Sequence, residues 1–325
     1  MSVQDAYTLT AWGIDSRWLR SNDADRRLLF VYAHPDDESF GNAGTILRYS
    51  SDGVAVHYAC ATRGEAGDVS PELLAGYADV GALRTVEQMR AAEVLGLTGV
   101  HFLGHRDSGM PGSPDNQHPD ALIRQPPALV AGQIVALIRA IRPQVVVTFG
   151  PYGGYGHPDH VFCHHVTTAA FKAAGNPTLY PEQIADGLAP WQPQRLYYST
   201  FGTRFLSTIV FIMRLLGKDP RRFGRNGDVD LVRAAREATP ATTKIDTAAY
   251  FEQAIQARQC HHSQSGGMSW IRRLPKPLQR RLNSVERFTR VVPPWNGKEI
   301  ERDLFPPDLR TRPPELLSCN CSHLG

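Results

Sequence analysis

Short continuous apolar runs alternate with helical stretches along the first two-thirds of this 325-residue chain, and that alternation narrows the fold more than any other feature. Residues 28–33 (LLFVYA), 54–61 (VAVHYACA), 100–103 (VHFL) and 144–149 (QVVVTF) read as strands. A strand with one wet face alternates apolar with polar residues, so unbroken runs imply burial on both faces. Residues 195–200 read as one more strand. Helices are predicted over about 42–51, 78–96, 128–141 and 158–174. Asp52-Gly53 stops the first and Gly96 the second. In the second, the spacing puts Leu83, Val86, Met89, Val94 and Leu95 on the core side. Residues 111–127, rich in Pro, Gly, Asn and Asp, read as a loop.

Strands alternating with helices build βαβ units, so the fold class is α/β: a Rossmann-like, mostly parallel sheet with helices on both faces, plus a smaller C-terminal region. The organisation predicted is an N-terminal extension over 1–27, a core over 28–200, and a C-terminal region over 201–325 with many Arg and Pro residues and weak periodicity.

Composition excludes several classes. An apolar fraction of 42% supports a packed core, and a net charge of +3 is too small for a nucleic-acid-binding field. Base-rich stretches do occur. Trp270 to Arg290 holds seven Arg or Lys against Glu286 alone, and Phe201 to Asp230 holds six against three acids. They read as solvated surface, or as a rim that meets an anionic or amphipathic partner. The longest apolar run, Phe205 to Leu216, spans 12 residues and includes Arg214; a membrane-spanning helix needs roughly 20. It reads as a buried or interfacial helix. Residues 1–27 carry several charges and no apolar segment, so no secretory signal is expected. Five irregularly spaced cysteines argue for a reducing compartment, hence a cytoplasmic protein. The tail Cys319 to His323 also has the residue types to grip a soft metal, although a frayed terminus explains it as well.

Ligands of such sheets bind beyond the carboxyl ends of the strands. Two polar segments sit there: Ala33-His34-Pro35-Asp36-Asp37-Glu38, and Tyr155-Gly156-His157-Pro158-Asp159-His160. A third His-Pro-Asp, at 118–120, follows no strand and reads as a decoy. A catalytic zinc takes three His or carboxylate ligands and keeps a position for water. His34 and Asp37, three apart, can be aimed at one point by a tight turn, and one His of the second segment completes the set. The bland reading makes these residues helix caps and loop hydrogen bonders; the pairing of the two segments argues against it. His164 lies one turn beyond His160 and reads as packing.

The paired motifs AHPDDE and HPDH resemble those of the zinc-dependent N-acetylglucosaminyl deacetylases of the PIG-L/LmbE type, which include the mycothiol and bacillithiol deacetylases and the mycothiol-conjugate amidase. Thr62 to Glu65, Arg106 to Met110, His261 and Ser263-Gln264 extend the resemblance, which covers roughly residues 28–265. The resemblance implies His34, Asp37 and His160 as ligands of zinc, with ferrous iron possible. It implies Asp36 as general base, His157 as oxyanion stabiliser or acid, and Tyr155 as a mobile contact to the tetrahedral intermediate. Arg63 and Asp107 are implied to bind sugar hydroxyls or neighbouring groups, while Glu65, Arg106 and Arg84 read as surface ion-pair residues. The implied reaction is hydrolysis of an N-acyl amide on a small amino-sugar substrate. The basic segments and the 205–216 stretch favour an anionic or lipid-linked one, with residues from 201 onward forming one wall of the cleft. No nucleic acid and no transmembrane segment are implied; a homo-oligomer is possible.

Three other readings compete. An amidase cleaving a thiol-conjugate amide uses the same site. Two His and one carboxylate also make the facial triad of non-haem iron oxygenases, although those favour HxD on a β-scaffold rather than HxxD on a βα one. A metal-stabilised binding module needs neither Asp36 nor His157.

Overall fold

The five apolar runs become five parallel strands. In the computed structural model, which describes residues 25–224, 227–264, 275–306 and 309, they are β1 (Arg27–Tyr32), β2 (Ala55–Thr62), β3 (Gly99–His105), β4 (Val145–Phe149) and β5 (Arg195–Ser199). Two further strands, β6 (Thr243–Asp246) and β7 (Val285–Val292), complete one seven-stranded sheet of order β3-β2-β1-β4-β5-β7-β6. The first five pair in parallel, and β7 runs antiparallel to both β5 and β6. The N-terminal extension up to residue 24 and the Cys319 to His323 tail lie outside the described residues.

The unbroken apolar character of β1 is explained by what covers it. Leu29, Val31 and Val146 face one layer with Ile134, Ile138, Val166 and Phe171. Leu28, Phe30, Val145 and Val147 face the other with Ile46, Ala254, Ala257 and Phe288. The covering helices are α1 (Asp37–Ser51), α2 (Val80–Leu95), α3 (Pro127–Ile141), the single turn α4 (Gly153–Gly156), α5 (Pro158–Ala173), α6 (Pro181–Ala185), α7 (Thr203–Leu215), α8 (Leu231–Glu237), α9 (Phe251–Cys260) and α10 (Lys276–Leu282).

Three expectations need correction. Helix α1 starts at Asp37, five residues before the predicted 42, and Asn42 interrupts it with a non-helical φ of −141°. The buried face of α2 is Leu83, Arg84, Glu87, Gln88, Ala91 and Leu95, whereas Met89 is exposed. This face is mixed: Leu95 joins the apolar core, while Arg84 and Gln88 reach Asp36 and Glu38. Third, the chain beyond 201 builds onto the core sheet: β7 lies between β5 and β6, so its removal would open the sheet.

The chain leaves β1 toward β2 on one side and β4 lies against β1 on the other, so the strand order reverses between them. A crevice forms at the carboxyl ends of two such strands. Residues 33–38 leave β1 there and residues 150–160 leave β4 there.

Candidate metal centre

The turn after β1 is built by Asp37. Its Oδ2 accepts from the backbone N–H of His34 (2.8 Å) and of Ala33 (3.2 Å). Tyr58 donates to the His34 carbonyl at 2.6 Å. Asp36 is forced to φ 116° at the mouth of α1, a left-handed backbone that a non-glycine residue adopts only when its surroundings impose it. Its N–H meets Glu38 Oε2 and Gln88 Oε1, both at 3.3 Å.

The turn after β4 is built by glycine. A Cβ at Gly153, whose φ is +64°, would come 2.6 Å from the Cβ of His160, so only glycine lets α5 approach this closely. The Gly153 carbonyl then accepts from His160 Nδ1 at 3.0 Å, which leaves Nε2 free to act as a ligand. The His160 ring stacks on Phe149, centroids 4.0 Å apart. His157 caps α5: its Nδ1 accepts from the Asp159 N–H at 3.2 Å, so its proton sits on Nε2.

Two ring nitrogens and the Asp37 carboxylate converge between the turns. His34 Nδ1 is 3.2 Å from His160 Nε2 and 3.6 Å from Asp37 Oδ2, and His160 Nε2 is 3.3 Å from Asp37 Oδ1. Ligands about 2.05 Å from a tetrahedral metal stand about 3.3 Å from one another, so the spacing and the His/carboxylate chemistry fit zinc. Behind the ring, His34 Nε2 lies 3.2 Å from Asp159 Oδ2 and 3.3 Å from Asp107 Oδ1. Those carboxylates place the ring proton on Nε2 and turn the Nδ1 lone pair toward Asp37 and His160. His157 also lies in ligand range of His34 and His160. With its Nδ1 engaged by the Asp159 N–H, its neutral ring carries the proton on Nε2 and can donate there.

The electrostatics favour a cation. Burial alone would lower the pKa of His34, but Asp107, Asp159 and Asp37 hold it well above its usual value. Burial would likewise raise Asp37, yet His160 and His34 hold it well below the carboxylate range. Asp36 differs: burial pushes its carboxyl up to about 6, against the pull of the Arg84 guanidinium. His157 is held well below its usual value by burial and by the neighbouring His34 and His160, so it stays neutral.

The other predicted residues fall at the edges. Tyr155, half-buried on α4, packs edge-on against His160 at 5.0 Å. Asp107 is buried against His34 and accepts from the Gly109 N–H at 2.8 Å. Arg63 is partly exposed, its Nε donating to Thr85 Oγ1 at 3.0 Å. The decoy stays apart, with the Asp120 side chain 81% exposed. His164 donates to the Phe149 carbonyl and packs on Tyr198.

Sequence reasoning missed the support beneath Asp36. Arg84 Nη2 reaches Asp36 Oδ2 at 3.2 Å and the Pro35 carbonyl at 2.7 Å. Glu38, fully buried, takes Gln88, Ser39 and His261 as partners. The available signal was the polar set Arg84, Glu87 and Gln88 recurring at helical spacing beside Leu83 and Ala91.

Comparison with known proteins agrees with this geometry. The family described as GlcNAc-PI de-N-acetylase (PIG-L) matches residues 29–171. A relative from Thermobifida fusca named 1D-myo-inositol 2-acetamido-2-deoxy-alpha-D-glucopyranoside deacetylase is 36% identical over 293 residues, covering 86% of this chain and 99% of that one. A Streptomyces avermitilis relative of the same name is 36% identical over 291 residues, covering 86% and 97%. Among solved structures, the N,N'-diacetylchitobiose deacetylase from Pyrococcus horikoshii superposes with a TM-score of 0.56 at 20% identity, covering 82% of this chain and 83% of that one. A 4-carboxy-2-hydroxymuconate hydratase from Pseudomonas putida shares the fold as well (TM-score 0.51, 19% identity, 84% and 99% covered). The architecture alone therefore does not set the reaction. The family match and the curated relatives show a hydrolase of non-peptide C–N bonds, and its His–carboxylate cluster could hold a metal ion. More narrowly, the chain belongs to the PIG-L deacetylase family.

Proposed function

We propose that this enzyme hydrolyses the N-acetyl amide of a small molecule in which N-acetylglucosamine is joined to a polyol, the inositol glycoside for which its relatives are named. Water adds across the amide, the C–N bond breaks, and acetate and a free amine leave. The observation that carries the reading is the convergence of His34 Nδ1, Asp37 and His160 Nε2 at the spacing of a tetrahedral metal, with Asp36 and His157 beside them.

His34, Asp37 and His160 would hold zinc; ferrous iron suits the same donors. Such a metal supplies Lewis-acid polarisation of the amide carbonyl and acidifies the attacking water. Asp36 accepts the proton of that water, and its raised pKa suits a base working near neutrality. His157 donates Nε2–H to the oxygen that gains charge as the carbonyl is attacked; a neutral donor fits this role. Tyr155 closes the same side. Asp107 and Asp159 orient His34, and Arg63 at the end of β2 meets substrate hydroxyls or charged groups.

Residues 28–200 form the catalytic core in this reading, and the chain from 201 onward supplies a cleft wall. Phe201 lines a pocket together with Tyr152 and Gly154, next to Tyr155. The free thiols Cys60, Cys163 and Cys260 suit a reducing compartment, which we take to be the cytoplasm.

The test is release of free amine from a panel of N-acetylglucosamine derivatives by wild type and Asp36→Ala, each zinc-loaded and chelated. Activity that needs both metal and Asp36 supports the reading. A zinc-loaded wild type that frees no amine from any panel member overturns it.

A further inference from the structure

Helix α7 shows solvent a second apolar face. Its inner side is seated: Leu206 packs with Ala234 and Ala235 of α8. Its outer side is bare, with Phe211 60%, Ile212 48%, Leu215 70% and Leu216 68% exposed, and Phe201 just before the helix is 45% exposed. These five are half of the ten exposed large apolar side chains among the described residues, gathered within 16 positions. Scattered apolar residues on a surface need no explanation, but a cluster of this kind marks an interaction surface.

Charge selects the occupant. Arg214, Lys218, Arg221 and Arg222 are exposed in and just after α7, and Asp219 is the one acid between Thr203 and Arg222. A second copy of this chain would bring two such basic patches together, which like-charge repulsion opposes. An apolar helix face bordered by bases is the pattern of a segment lying in the headgroup plane of an anionic bilayer. No described helix is long and apolar enough to cross one.

We infer that α7 and the turn following it dock this protein on an anionic phospholipid surface, with Phe211, Ile212, Leu215 and Leu216 entering the interface and the four bases meeting headgroup phosphates. The helix leaves the carboxyl end of β5, the sheet edge that also carries His34 and His160. Phe201 approaches Gly154, one residue from Tyr155, within about van der Waals contact of a Cβ built there (3.5 Å). The docking helix therefore starts at the same edge of the sheet as the candidate metal centre. The inference stands apart from the reaction, because its readout is binding.

The experiment is co-sedimentation of the full-length protein with vesicles of phosphatidylcholine alone and of phosphatidylcholine doped with phosphatidylglycerol, at low and high salt. The expected result is capture by the doped vesicles only, reversed by salt. Phe211→Ser/Leu215→Ser should weaken capture by about tenfold or more, and Arg221→Ala/Arg222→Ala by about fivefold per charge removed. The arginine variant and the salt series keep the test open should the apolar variant misfold. Sedimentation velocity without lipid should give the same species for wild type and variants. No capture by wild type, equal capture by both vesicle types, or capture untouched by the arginine variant overturns the inference. So does self-association that Phe211→Ser/Leu215→Ser dissolves, since the face would then belong to a second copy.

Discussion

Arg84 Nη2 stands 3.2 Å from Asp36 Oδ2, and both side chains are largely buried. The same guanidinium donates to the Pro35 and Gly64 carbonyls, so one side chain ties the left-handed Asp36 turn to the loop after β2. Losing one partner of a buried pair leaves the other charge uncompensated. Arg84→Met should therefore lower unfolding stability by about 3 kcal/mol in denaturant titrations. Adding Asp36→Asn should recover part of that loss. Strict additivity of the two substitutions would show that the pair is not coupled.

Asp36→Asn alone keeps the shape of the turn and removes the proton acceptor. The expected outcome is a fall in kcat of about 10²- to 10⁴-fold with zinc content unchanged by elemental analysis. A fall matched by loss of zinc would instead make Asp36 a ligand.

Asp159 Oδ2 accepts from the Ser108 N–H at 2.9 Å as well as facing His34 Nε2, so it fixes how the ring is turned. Asp159→Ala should weaken zinc binding by about 10- to 100-fold in chelator competition. Unchanged affinity would mean that Asp107 alone suffices.

Gly153→Ala places a methyl group 2.6 Å from the His160 Cβ at a positive φ. Stability should fall by about 2 kcal/mol and zinc affinity should drop with it, because α5 must move to accept the methyl. Both are readable from thermal melts with and without zinc.

His57 and His101 stack in the core between β2 and β3, ring nitrogens 3.2 Å apart. Burial, then His101 and Arg27, push the pKa of His57 down to about 3. In the unfolded chain it titrates near 6.5, so below that pH the unfolded state takes up a proton that the folded state refuses. Stability present above about pH 6.5 should fall by up to about 1.4 kcal/mol per pH unit down to about pH 3. His57→Asn should flatten the melting temperature against pH in that window. A parallel slope would assign the acid sensitivity elsewhere.

Strands β1, β2 and β4 were legible because both faces are covered, which forces unbroken apolar runs. Strand β7 was not: Phe288 is its one fully buried residue, and charged Glu286, Arg287 and Arg290 break the run. The HPDD and HPDH segments were legible from their place after strands. Arg84 was not, because an arginine on an amphipathic helix reads as solvated until the partners that bury it are known. The face of α2 was legible in part: Leu83 and Leu95 are buried and Val94 packs on the core, but Met89 is exposed, and Arg84, Glu87 and Gln88 are buried where apolar residues were expected.

His34 and His160 stand 126 positions apart in the chain, yet their ring nitrogens meet at 3.2 Å only because β4 lies beside β1. During synthesis the first half of this donor set emerges long before the second. Of the proposed ligand set, a nascent chain holds only His34 and Asp37 until His160 has followed. In the proposed reading the complete donor set exists only once β4 has paired with β1, so ion binding follows that pairing.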